Sequence, residues 1–463
     1  MKELDLGTGN IRSLVKKFSI PCVISMVVAA LYNIVDQIFI VWSAAGAYGN
    51  AATNIVYPFT VFALGLALLV GDGATAGFSI ALGCGNKKQA NKNIGNGLTV
   101  LVVSSIVLCL LGFCFQVQIL GLFGGNPEEA ECYAYATEYF KIICIGIPFY
   151  MIGQGLNGAI RADGSPRYAM ACTLAGAITN LIFDPVFIFG LGMGVKGAAI
   201  ATIMGQILTF AMSVFYLTKA KNFVLDKDSM KPERNTVGRI VSVGMASLIV
   251  QLSIVIIIAV NNNLLTKYGY QTYAGTGEAF GAVIPLAVVG IVMKVFGIVV
   301  SIVIGISLGG QPIIGYNMGA GNTERVKKTI QLITKLVLLV GIIAFLIFEF
   351  VPDAIIYLFG SHNTAEYMEY ARLCIRIFLG GIILTCYIKS AAIILQSMGN
   401  SVKSTILALL RDVIIFVPAS IILAMLSKSI VTMLWAAVIS DVIAAIVGFL
   451  FVRSELDNLT TIR

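Results

Sequence analysis

Two aspartates stand inside apolar runs, where a charge is costly. Asp36 lies in Tyr32-Asn33-Ile34-Val35-Asp36-Gln37-Ile38-Phe39-Ile40, and Asp184 in Thr179-Asn180-Leu181-Ile182-Phe183-Asp184-Pro185. A carboxylate inside a membrane span costs about 2.5–3.5 kcal/mol on insertion scales, so it is kept mainly where it binds an ion, carries a proton or pairs with a cation. Asn180 and Asp184 are four apart and share one helix face, while Asn33, Asp36 and Gln37 share another. Thr202, closing Gly197-Ala198-Ala199-Ile200-Ala201-Thr202, adds a hydroxyl. Two carboxylates, an amide and a hydroxyl are hard oxygen donors that suit Na⁺. In low dielectric the same acids could carry a proton instead. The competing reading is that Asp36 and Asp184 merely cap or brace helices. Against it, no Lys or Arg sits at matching depth in the first six apolar runs, Lys141 lying near the outer end of its own.

This chemistry presupposes a membrane, and composition supplies one. The chain has 463 residues, 58% hydrophobic and only 12% charged, with mean hydropathy +0.93. Soluble domains carry about 25% charged residues. Apolar runs of helix-spanning length recur from end to end, and alternating strands of the barrel kind are absent. Twelve spans are expected, at 14–41, 52–83, 95–122, 137–160, 168–190, 196–218, 240–265, 281–316, 330–350, 369–395, 405–426 and 431–452. The eighth, with Pro285, Gly290, Gly305, Gly309-Gly310 and Pro312, is expected to kink. Pro21 and Pro185 leave backbone groups unpaired and allow bending beside the acids. The polar start, Met1 to Asn10, shows no cleavable signal.

Lys and Arg alternate strictly with the span count: 21 lie on one side and only Lys196, Lys267 and Lys428 on the other. By the positive-inside rule both termini are cytoplasmic in a multi-pass protein of the cytoplasmic membrane. Asp36 and Asp184 then lie at similar depth beyond the midplane, toward the outside. Because the basic residues are spread over short loops, the net charge of +8 is no nucleic-acid signal. Nine cysteines without CxxC spacing read as packing residues. No P-loop is present, so energy must come from an ion gradient, and no enzyme constellation appears.

The longest polar interruption, Lys219 to Arg239, divides the chain into lobes 1–218 and 240–463 joined by a cytoplasmic linker at 219–239. Gly83-Cys84-Gly85-Asn86 aligns with Gly319-Ala320-Gly321-Asn322, Leu122-Phe123-Gly124 with Leu358-Phe359-Gly360, and Arg167 with Lys403, all at an offset of 236 residues. Two six-span repeats should be related by a pseudo-two-fold axis along the membrane normal, with a cavity between them. At that offset Asn180 falls on Phe416 and Asp184 on Ser420, so the acids belong to the first half only. The second half buries Lys294, Arg376, Lys389, Arg411, Asp412 and Asp441, read as a structural charge network, for example Arg411 or Lys294 with Asp441. Substrate contact is the alternative. Asp72, in Gly71-Asp72-Gly73, either touches substrate or packs helices.

Over essentially its whole length the chain resembles the multidrug and toxic compound extrusion (MATE) family. The resemblance rests on the 6+6 repeat, Pro21 with Asp36, Asn180-x-x-x-Asp184-Pro185, Gly164-Ser165-Pro166-Arg167 and the Gly194-to-Thr202 opening of span six. It is most similar to the bacterial branch related to DinF and MepA. The resemblance implies an all-α fold of twelve transmembrane helices and a cation site at Asp36, Asn180, Asp184 and Thr202. Tyr139 and Asn157 match nearby polar positions of the same cavity. Span ten has no acid after Glu369, unlike the NorM-like branch with its second-half site. The expected activity is H⁺- or Na⁺-coupled export of amphipathic, often cationic drugs by a monomer without other cofactor. Asn33, Gln37 and Asp72 are further candidates for substrate contact. A lipid-linked oligosaccharide flippase of the same superfamily is the alternative.

Overall fold

The computed structural model describes residues 6–125, 127, 130–272, 284–359 and 365–461. Gly360, His362 and, in the acidic stretch Asn126 to Glu131, Asn126, Glu128 and Glu129 lie outside them. The first half holds α1 (Ile11–Trp42), α2 (Gly46–Gly83), α3 (Lys87–Cys114), α4 (Gln116–Leu122), α5 (Ala130–Ala162), α6 (Pro166–Pro185) and α7 (Gly194–Leu217). The second holds α8 (Arg234–Thr272), α9 (Ile284–Gly319), α10 (Thr323–Phe350), α11 (Pro352–Phe359), α12 (Ala365–Phe378), α13 (Ile382–Ser397), α14 (Ser401–Leu409), α15 (Phe416–Ser427), α16 (Ile430–Met433) and α17 (Trp435–Thr461). Wide turns at Val186–Gly190 and Leu410–Ile415 follow α6 and α14.

Among the described residues eleven helices are long and apolar enough to cross a membrane, and α12 with α13, bent by 46°, makes twelve when the pair is counted as one span. That bend falls at Gly380-Gly381, and α9, where a kink is expected, continues as helix through Pro312. Its glycines serve packing: a Cβ at Gly309 would lie 2.5 Å from the Ser19 Cα, and one at Gly310 2.0 Å from Ile333. Large apolar side chains such as Leu110, Phe215, Ile343 and Leu450 point outward, while polar groups such as Asn96, Asp184 and Ser404 are buried. That inversion suits a hydrocarbon surround.

Helix ends follow local sequence. Gly85 at φ +72° and Gly321 at φ +67° take the left-handed conformation that closes α2 and α9. The next residue, Asn86 or Asn322, then begins the following helix, and the Asn86 side chain accepts from the Gln89 N–H at 3.0 Å. These Gly-Asn turns are 236 residues apart.

The face carrying the chain ends is here called the near face, and the opposite one the far face. The lobes meet tightly in their near halves. A Cβ at Gly83 would lie 1.9 Å from the Tyr316 carbonyl oxygen, and one at Gly319 2.0 Å from that of Ile80. Residues 83 and 80 are related to 319 and 316 by the repeat offset, so the pseudo-two-fold axis passes between α2 and α9. Gly73 abuts Ile240, Gly244 abuts Leu69, and the Ser19 hydroxyl donates to the Ile306 carbonyl at 3.0 Å. Tyr57 of α2 neighbours Tyr32 and Tyr150 yet is 44% exposed.

Candidate ion and substrate site

The site is built from α1, α5, α6 and α7 of the first lobe. One helical period places Asn180 and Asp184 on the face of α6 turned to α7 and α1. There the Asn180 amide donates to the Asp184 Oδ1 and to the Thr202 Oγ1, both at 3.3 Å. Asn180 and Asp184 are almost fully buried. Asp36, six residues before the α1 end, brings its carboxyl into hydrogen-bonding range of Asp184. Its Oδ1 is buried and has no partner among the described residues. Tyr139 of α5 is buried beside both acids. Two carboxyls in contact repel as bare anions and are compatible when a proton or cation lies between them. The donors present, carboxylate, amide and hydroxyl oxygens, fit H⁺ or Na⁺. Among the described residues no group of three or more His, Cys, Asp or Glu could hold a metal ion.

Below the acids lies a cavity of about 50 Å³, bounded by Tyr32, Tyr150, Gln154, Asn180, Thr202 and Gln206 among others. It is large enough for water or a small ion. Sequence reasoning missed Tyr32, Gln154 and Gln206. Tyr32 is four residues before Asp36, and Gln206 four after Thr202, so helical spacing could have found both.

The other candidates lie elsewhere. Asn33 turns back, donating to the Ala29 carbonyl at 2.7 Å. Gln37 faces a separate cavity of about 150 Å³ at the far mouth, shared with Trp42, Asn50 and Lys294. Asn157, 18 residues along α5 from Tyr139, is about 27 Å away at helical rise. It holds α6 through the Ala169 carbonyl at 3.1 Å and Thr173 at 3.3 Å, and accepts from Arg161. Asp72 accepts from Ser247 of the other lobe at 2.7 Å. Pro21 lies within an unbroken α1, and Pro185 is followed directly by a wide turn.

Among the described residues the second lobe has no unpaired acid pair at the equivalent place. Lys389 meets Asp412 at 2.7 Å, Arg411 meets Asp412 at 2.7 Å and Asp441 at 2.9 Å, and Thr385 donates to Asp441 at 2.7 Å. Arg376 instead pairs with Glu349 at 3.7 Å in an exposed position. Lys294 lies at the far-mouth cavity beside Gln37.

The MatE family profile matches residues 21–186 and 277–422, one copy in each half. The chain is 22% identical over 444 residues to the multidrug export protein MepA of Staphylococcus aureus strain MRSA252, covering 96% of this chain and 94% of that protein. The structure superposes with a TM-score of 0.90 on a MATE protein crystallised in complex with MaL6, at 22% identity and full coverage of both chains. It superposes at 0.89 on an outward-facing multidrug resistance MATE transporter of the MOP superfamily, at 22% identity, covering 100% of this chain and 99% of that one.

Proposed function

Since the chain belongs to the MatE family, we propose that it is a multi-pass transporter of the cytoplasmic membrane that exports amphipathic, often cationic organic molecules in exchange for H⁺ or Na⁺. The export reading is supported by the MepA relatives. The coupling reading is carried by one observation: Asp36 and Asp184 approach each other inside one lobe, with Asn180 and Thr202 beside them and no Lys or Arg ion-paired to either acid among the described residues.

An ion arriving from the far side neutralises the Asp36–Asp184 pair and draws α1 toward α6. Its departure restores repulsion and loosens that contact. Since α1 also packs along α9 of the other lobe, through Ser19 and Gly309, a change at the acids is transmitted to the lobe interface. A cationic substrate can compete for the same carboxylates. The Lys- and Arg-rich near face is assigned to the cytoplasm. The lipid-linked oligosaccharide reading calls for a basic cavity, and the first-lobe cavity is lined by amides, hydroxyls and aromatic rings beside two acids.

Asp36→Asn and Asp184→Asn, each at wild-type expression in a drug-sensitive host, should reduce ethidium efflux at least tenfold. Wild-type efflux from both variants would sink the coupling assignment. Vesicles with a proton or a sodium gradient imposed separately identify the ion.

A further inference from the structure

The near-face junction between the lobes combines close backbone approaches with side-chain contacts such as Ser19 to the Ile306 carbonyl and Asn317 to that of Leu6, and one of its contacts uses a buried acid. Asp72 of α2 is buried, at 7% exposure, and its Oδ2 accepts a hydrogen bond from the Ser247 hydroxyl of α8 at 2.7 Å. Ser247 in turn accepts from the Gln396 amide of α13 at 3.0 Å, and the same amide donates to the Val243 carbonyl at 3.1 Å. Gln396 is 2% exposed. A single chain of hydrogen bonds therefore runs from an acid of the first lobe through two side chains of the second. It is flanked by two close backbone approaches between α2 and α8, Gly73 against the Ile240 carbonyl and Gly244 against that of Leu69.

Three features separate this chain from ordinary packing. First, it crosses between bodies that must part if substrate is to enter from the near side. Second, a hydrogen bond to a charged acceptor is about twice as strong as a neutral one, so breaking it costs more than separating apolar faces of the same size. Third, the acid is not stranded when the lobes separate. On separation Asp72 loses Ser247 and gains water, so the contact can break and re-form without leaving a bare charge in the protein.

We propose that Asp72 is a positioning residue for the export cycle: with Ser247 and Gln396 it latches the near face shut, and its release opens the cleft to the cytoplasm. The proposal rests on the two-lobe transporter reading above but is independent of which ion drives export.

The test reads lobe separation rather than transport. Spin labels are attached through an encoded non-canonical residue at Lys88 and, in the other lobe, at the repeat-related Glu324, both exposed at the near face. Distances are measured in lipid nanodiscs without substrate. Ser247→Ala should raise the ratio of near-open to near-closed molecules about tenfold, the effect of losing one charge-assisted hydrogen bond. Gln396→Leu, which leaves Asp72 untouched, should shift the ratio the same way. Asp72→Ala combined with Ser247→Ala should add nothing to the larger single effect. Unchanged or shortened distances in Ser247→Ala and Gln396→Leu, or additive shifts in the double variant, would overturn the latch. Loss of ethidium efflux with unchanged distances would do the same while leaving the transporter reading in place.

Discussion

At the scale of single residues the two lobes handle buried charge in opposite ways. The first keeps Asp36 and Asp184 together with no Lys or Arg ion-paired to either among the described residues. The second closes its charges on themselves: Lys389, Arg411, Asp412 and Asp441 are all ion-paired among the described residues. A closed network is static, and breaking one member strands another, at a cost of about 3–5 kcal/mol. Arg411→Leu should therefore lower thermal stability in detergent by that order, whereas Asp36→Asn should leave it nearly unchanged while abolishing efflux. A comparable melting loss in both would place Asp36 in a structural role. The pairing of Arg411 with Asp441 was legible from burial and sign. Arg376 and Lys294 were not, because which way a helix turns each side chain depends on neighbours that sequence does not name.

Helices and their connections carry the next level. The stretch between the lobes is docked rather than loose. The Asn96 amide, fully buried, donates to the Ser229 and Lys231 carbonyls at 2.8 and 3.0 Å and accepts from the Glu233 N–H at 2.7 Å. Asp163 accepts from the Lys221 and Asn222 N–H groups at 2.8 and 2.7 Å and from the Tyr216 hydroxyl at 2.6 Å. Asn96→Ala strands several backbone groups at about 1–3 kcal/mol each, and should expose the 219–233 stretch to trypsin, which limited proteolysis would show as a new cut between the lobes. A nearby surface pair is sensitive to acid. The Lys92 ammonium, followed by the Thr236 hydroxyl, holds the Glu233 carboxyl below its ordinary value of 4.5. Its contribution is present above that value and is lost as pH falls through the lower folded one; exposure keeps it small. Composition and the Lys/Arg pattern alone marked a polar connection here. Its anchorage is a tertiary matter, since Asn96 and Asp163 lie far from it in sequence.

For the whole molecule, the close approach of α2 and α9 at the near face sets how the lobes can move. Gly83→Ala or Gly319→Ala places a methyl group about 2 Å from a carbonyl oxygen of the opposite lobe, and neither backbone can yield without the lobes separating. Both variants should lengthen the Lys88-to-Glu324 distance, and unchanged distances would show that the glycines only fill space. The sequence by itself determined the twelve spans, the repeat, the lobe lacking the acids and the face on which Asn180 and Asp184 stand. Span length, charge alternation and helical period are local properties, and a common offset survives divergence. Only the tertiary structure decided that Asp36 meets Asp184, that Asp72 reaches across to Ser247, and that Asn157 braces α6 instead of joining the acids. It also put a 46° bend at Gly380-Gly381. Periodicity says which residues share a helix face, but the partner of that face is chosen by how whole helices pack, and that choice turns two buried acids into a pair and a third into a link between lobes.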